Sequence, residues 1–284
     1  MKFDRPATLE RALEMMDSGG GATPLAGGTD LMVGINFGRE RPEHVVSIRH
    51  LSELRELKLG PRIRCGAGVT YTRLLAELGE STPGLSQAAR TVGSPQIRNA
   101  GTLGGNLATC SPAGDTLPVL AALDAEVHLV SRSGGIRKLP FSAWMSGPKR
   151  SARRPDEMVL GAEWDDAGPA QAFLKAGTRN AMVISVASLA LVADRRRRAV
   201  RIAIGSAGPV IIRAAEAERF AAGLFEEAGW ETNFQPGEGA LRRCGELAAA
   251  AAQPIDDQRG TIAYRRHVIA VMTARALRRT AGAA

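Results

Sequence analysis

The chain is poor in the residues that staple small folds or hold metals. Its three cysteines, Cys65, Cys110 and Cys244, are odd in number, far apart and free of CxxC or CxxxxCxxC spacing. That pattern excludes a zinc ribbon or an iron–sulfur centre built from this chain and favours a reducing compartment. The four histidines, His44, His50, His128 and His267, form no HExxH, so no two-histidine metal site lies along one helix. No apolar run approaches the roughly 18 residues of a membrane span. The start, Met1-Lys2-Phe3-Asp4-Arg5-Pro6, places charges where a secretory signal needs apolar residues. A cytoplasmic protein is expected, with no membrane partner. Aromatic residues amount to 4 %, which leaves few platforms for stacking bases, so the formal charge of +8 does not by itself argue for nucleic acid. The densest basic cluster, residues 195–198, lies between two strand-like runs, 183–193 and 199–206, and reads as a solvated hairpin tip.

What is present is an ordinary globular composition, 44 % hydrophobic and 23 % charged over 284 residues, enough for two domains or one large one without disulfides. Leu9, Ala12, Leu13 and Met16 share one helical face after a capping Thr8, and the glycines at 19–21 stop that helix. Val45, Val46 and Ile48 read as a buried strand; Leu57/Leu59 and Ile63/Cys65 alternate across Gly60-Pro61 as a hairpin. Helices are expected over 72–78, 85–92 and 115–123, the last carrying Pro118 in its first turn, and a hairpin joins 126–130 to 136–139 around Ser133-Gly134-Gly135. Beyond Phe173 the two strand-like runs pair, and the chain after Arg213 is Ala/Glu/Arg-rich and helical, with helices over 241–252 and 262–279 joined through Pro254. A boundary near Gly168-Pro169 divides the chain into 1–169, itself split near 55–60, and 170–284. No repeat of 20–50 residues is present.

Two glycine pairs stand out: Leu25-Ala26-Gly27-Gly28-Thr29-Asp30 and Thr102-Leu103-Gly104-Gly105-Asn106. Glycine has no Cβ and lets backbone N–H groups approach a diphosphate, and the hydroxyl and amide side chains of Thr29, Thr102 and Asn106 add hydrogen bonds. Neither segment is a GxGxxG dinucleotide fingerprint or a GxxxxGK[ST] phosphate loop, and either alone is also compatible with a plain tight turn. A nucleotide-binding protein without redox chemistry and a nucleic-acid module on the basic surface are the competing readings.

In context the pair is more specific. Residues 26–31, 93–108 and 111–115, together with Arg179-Asn180-Ala181-Met182, the stretch 204–209, Ile212-Arg213-Ala214 and Tyr264-Arg265-Arg266, resemble the FAD-binding medium subunit of the molybdenum hydroxylases, the family of xanthine and carbon monoxide dehydrogenases. The resemblance runs nearly end to end. It implies an α+β, two-subdomain FAD-binding fold of the vanillyl-alcohol-oxidase/PCMH type, with a C-terminal domain of antiparallel sheet plus helices. It assigns Leu25, Ala26, Gly27, Gly28, Thr29, Asp30, Thr102, Leu103, Gly104, Gly105 and Asn106 to the FAD diphosphate and its surroundings. Thr109 and Asp115 are assigned to further polar contacts, and Val159 and Lys175 to the flavin neighbourhood.

The resemblance also implies partners: a large subunit with the molybdenum cofactor and a small one with two [2Fe–2S] clusters, assembled as a dimer of heterotrimers, and NAD as one possible electron acceptor. No catalytic side chain and no metal ligand is nominated in this chain. Val183 stands where many relatives carry an aspartate, and Thr29-Asp30 stands where the carbon monoxide enzyme has His-Ser, which argues against carbon monoxide as substrate. No histidine or cysteine lies in either glycine segment, so noncovalent FAD is expected; Cys110 is the nearest thiol.

Overall fold

The computed structural model describes residues 1–17 and 21–283. The glycine stop foreseen at 19 and 20 lies outside the described residues. The first unit comprises β1 (Lys2–Asp4), α1 (Leu9–Asp17), β2 (Thr23–Leu25), α2 (Leu31–Asn36) and β3 (His44–Ser47). Its three strands are all parallel in the order β1-β3-β2, which puts Val45 and Val46 in the buried central strand. Helix α1 buries Ala12, Leu13 and Met16, the foreseen apolar face.

The second unit runs through β4 (Leu57–Lys58), β5 (Arg62–Gly66), α3 (Tyr71–Glu77), α4 (Pro83–Thr91), α5 (Pro95–Ala100), α6 (Leu103–Thr109), α7 (Thr116–Ala122), β6 (Glu126–Ser131), β7 (Gly135–Pro140), β8 (Met145–Gly147), β9 (Arg150–Ser151) and β10 (Met158–Asp165). Antiparallel pairing gives the order β4-β5-β10-β6-β7. All seven residues of α7 are buried. Pro118 sits in its first turn, where a missing N–H costs nothing. The two buried indoles of this unit are satisfied, Trp144 Nε1 donating to Leu107 O at 3.2 Å and Trp164 Nε1 to Thr82 Oγ1 at 3.2 Å.

The glycine-rich stretch expected as a turn at 101–106 is instead the start of α6, and the apolar residues after Gly28 form α2. These helices and α5 span six or seven residues each, too short for a 3.6-residue periodicity to register in sequence.

The third unit is β11 (Gln171–Ala176), β12 (Ala187–Asp194), β13 (Ala199–Gly205), β14 (Ile212–Arg213), α8 (Ala215–Ala228), α9 (Glu238–Ala251) and α10 (Ile262–Ala281), with the strands antiparallel in chain order. Every residue of β12 is buried, because α7 covers one side of the sheet and α10 the other. The strand foreseen from 183 starts only at Ala187; residues 182–184 line the edge of a cleft instead. Arg265 of α10 clamps this unit. Its guanidinium, almost wholly buried, donates to Val186 O at 2.9 Å and to Ser206 O, and pairs with Asp257.

The basic tip at 195–198 is not simply solvated. Arg195 donates to Trp230 O, Asn233 Oδ1 and Ala283 O, Arg196 to Asp166 O, and Arg197 pairs with Asp165. Closure of a hairpin beside carbonyls and carboxylates consumes those charges, which a sequence cannot reveal. No helix among the described residues is long and apolar enough to cross a membrane.

Candidate functional site

A cleft of about 900 Å3 opens between the parallel sheet and the second unit, and both glycine segments line it. The first packs against the chain just before the second: a Cβ on Gly27 would stand 1.8 Å from Ala100 O, so glycine is required there because backbone packs on backbone. A Cβ on Gly101 would stand 2.7 Å from the Tyr71 ring. Gly28 has φ +72°, a left-handed conformation that turns β2 into α2. Further along, Thr109 Oγ1 lies 3.4 Å from Asp30 Oδ2, joining the end of α6 to the first turn.

The two segments nevertheless differ in what they offer a ligand. In the second, the N–H groups are spent internally: Leu103 N donates to Val69 O, Gly104 N to Ala67 O, Gly105 N to Thr102 Oγ1 and Asn106 N to Thr102 O. In the first, the N–H groups of Gly28, Thr29, Asp30 and Leu31 have no acceptor among the described residues, so this turn is the open donor array. The second contributes shape. Gly104 packs its Cα on Ala67, whereas a Cβ on Gly105 would meet only Thr102 Oγ1 at 3.2 Å. Asn106 accepts from Thr116 Oγ1 at 2.5 Å through Oδ1, which turns its amide into a fixed donor on the cleft wall.

All the residues proposed from sequence line this cleft except Leu103. Leu103 is fully buried in the core, where helix packing rather than a ligand explains it. Val159 lies on β10 beside a bulge before Gly161, and its buried side chain forms cleft floor.

Asp115 and Lys175, sixty residues apart, form a buried ion pair at 2.6 Å, with side chains 6 % and 8 % exposed. Asp115 also accepts from Ser185 Oγ at 2.6 Å and Thr91 Oγ1 at 3.0 Å, and Lys175 donates to Thr91 O at 3.2 Å. The pair ties the third unit to the second and forms a neutral patch of wall. Burial, with the charges of Asp115 and Asp30, pushes the Tyr71 hydroxyl up, so it stays a neutral donor. Cys110, left-handed at the end of α6, is buried, donates to Arg150 O at 3.3 Å, and has its thiol pushed up to about 11 by burial. It is an inert thiol.

Several lining residues carry no motif that marks them in the sequence. Lys149 and Arg153 bring positive charge to the cleft; Ile97, Met182 and Ile184 bring exposed apolar surface. The signal for the first two was the basic run before Val159. Arg179 folds back on Ala181 O and Met182 O and holds Met182 at φ +50° on the rim, which gives the Arg-Asn-Ala-Met stretch its local logic.

Outside the cleft, Glu126, His128 and Glu163 lie close enough to share an ion. Their carboxylates already pair with Arg62 and Arg64, so the group is an ion-pair network on the sheet face.

Residues 1–163 match the family model of the FAD binding domain in molybdopterin dehydrogenase, and residues 172–280 match that of the CO dehydrogenase flavoprotein C-terminal domain. The chain belongs to this family. Among curated members it is 37 % identical over 195 residues to the nicotinate dehydrogenase FAD-subunit of Eubacterium barkeri, covering 65 % of this chain and 66 % of that one. It is 28 % identical over 294 residues to a putative xanthine dehydrogenase FAD-binding subunit of Escherichia coli strain K12, covering 99 % and 96 %.

Solved structures of lower identity share the fold. A chain of the Cu,Mo-CO dehydrogenase superposes with a TM-score of 0.86 at 24 % identity, covering 100 % of this chain and 98 % of that one. A chain of quinoline 2-oxidoreductase from Pseudomonas putida 86 gives 0.87 at 23 %, covering 99 % and 96 %. The α+β FAD-domain architecture with its C-terminal antiparallel sheet and helices is therefore that of the molybdopterin-dehydrogenase flavoproteins.

Proposed function

We propose that the chain is the FAD-binding, electron-transferring subunit of a molybdenum-containing hydroxylase. In this reading a small partner with two [2Fe–2S] clusters delivers electrons that a large molybdenum-cofactor subunit has taken from substrate, and NAD receives them. FAD supplies the redox chemistry, since its ring accepts electrons singly or in pairs. The chain's own residues bind and orient. The open N–H groups of residues 28–31 would hold the diphosphate, with the Thr29 and Thr109 hydroxyls and the Asn106 amide beside them. Gly105 would leave room for the ligand's approach, and Lys149 and Arg153 would balance its charge. Val159, Met182 and Ile184 would supply apolar surface for the ring systems, while the Asp115–Lys175 pair fixes the wall against which the ligand lies.

The observation that carries this reading is a single one: a glycine turn with free N–H donors and Gly105, whose Cβ position meets only Thr102 Oγ1, line the same cleft. A diphosphate-binding protein without redox chemistry would use the same geometry; family membership favours the flavin. The match boundaries, 163 and 172, support a division near residue 169, with a finer split near 55–60 inside the first part. The assembly we propose is a dimer of heterotrimers in the cytoplasm, free of nucleic acid and membrane, with a substrate other than carbon monoxide. NAD is the acceptor under test. Anaerobic photoreduction of the flavoprotein followed by addition of NAD should give prompt flavin reoxidation. A reduced spectrum that changes only on admitting oxygen or a quinone would reject NAD and leave FAD binding untouched.

A further inference from the structure

Three arginines, Arg5, Arg49 and Arg55, have no acidic partner among the described residues, and all three line one concavity of about 600 Å3 distinct from the cleft above. The topology brings them together. Arg5 follows β1 and Arg49 follows β3, and those strands are parallel neighbours with Asp4 opposite Val46, so both arginines emerge at the carboxyl ends of the sheet, where open parallel sheets bind ligands. Arg55 enters from the connection before β4. A fourth guanidinium, Arg73, is braced at the wall by Glu77 at 2.7 Å and by Arg55 O at 2.6 Å. No carboxylate lines the concavity; Ser47, Thr70 and Asn99 supply hydroxyl and amide groups. His50 belongs to the wall, its Nε2–H donating to Pro6 O at 2.7 Å. Phe3, 56 % exposed, stands at the rim.

Like charges gathered in a concave site repel one another and focus a positive potential, an arrangement that an anion relieves. Guanidinium forks match phosphate oxygens in pairs. The volume falls in the range of small-molecule sites. We propose that this concavity is a second anion site that takes a diphosphate group, carried by free pyrophosphate or by a nucleoside diphosphate whose base lies on Phe3. It stands back to back with the flavin cleft, sharing Gly68 and Thr102 in its lining, but it does not depend on the flavin assignment.

Calorimetric titration of the full-length, FAD-loaded chain with pyrophosphate and with ADP tests it. Saturable binding is expected, weakened at least tenfold by Arg49→Ala and by Arg55→Ala and unchanged by Arg198→Ala, with flavin absorbance equal in all four proteins. Tighter binding of ADP, lost in Phe3→Ala, assigns the site to a nucleotide; equal binding of the two probes assigns it to the inorganic ion. Absence of saturable binding at millimolar probe, equal weakening by Arg198→Ala, or loss of flavin from the Arg49 and Arg55 variants would overturn the proposal. The last outcome would make the concavity part of the flavin site.

Discussion

A Cβ added at Gly104 would stand 2.4 Å from the Ala67 Cβ and 2.7 Å from Ala67 O, whereas one added at Gly105 would meet nothing closer than Thr102 Oγ1 at 3.2 Å. Neighbouring glycines thus carry different duties, one to the packing of α6 on the loop after β5 and the other to the open cleft. Gly104→Val should therefore cost about 3 kcal/mol or more by overpacking, read as a fall in the urea midpoint. Gly105→Val should cost much less, because valine is no poorer a helix former than glycine and only Thr102 Oγ1 has to give way, yet it should empty the protein of flavin. A Gly105 variant with wild-type flavin absorbance would refute the assignment of that glycine to the ligand. Both glycines were legible in sequence, but their division of labour was not, because it depends on Ala67, which the chain brings back from 37 positions away. The same holds for Asp115 and Lys175. The resemblance assigns Asp115 to polar contacts with FAD and Lys175 to the flavin neighbourhood, and only folding discloses that each is the other's partner.

At the scale of elements, long helices and alternating strands were readable from pattern, whereas α2, α5 and α6 were hidden by their shortness and their glycine and proline content. The sheet face of β10 and β6 shows a further property that pattern cannot show. His128, with Nε2 buried and without a hydrogen bond, faces Glu163 at 3.8 Å. Burial, aided by Lys138 and Arg64 and opposed by Glu163 and Glu126, lowers its pKa below the ordinary 6.5. The unfolded chain therefore takes up the proton first as pH falls, and the folded state loses stability from about pH 6.5 downward, by up to about 1.4 kcal/mol per pH unit for one proton. Urea midpoints at pH 7.5 and 5.5 should converge in His128→Leu relative to wild type. Identical pH dependence in the two proteins would show that His128 is not held neutral.

Across the whole molecule, the excess of positive charge is partitioned. Residues 195–197 spend theirs on the protein's own carbonyls and carboxylates, and Arg5, Arg49 and Arg55 keep theirs for a concave site. The flavin cleft is likewise a property of the assembled units, since the first contributes the donor turn, the second the glycine pair and Val159, and the third Lys175 and the 182–184 edge. The chain has none of the cysteine spacing that would hold clusters of its own, which fits a subunit that works beside others. The proposed function rests on noncovalent binding of FAD in this cleft. Acid precipitation of the purified native protein, with the supernatant analysed by chromatography, tests it most directly. A full equivalent of free FAD is expected in the supernatant; flavin retained in the pellet, or no flavin at all, would overturn noncovalent binding.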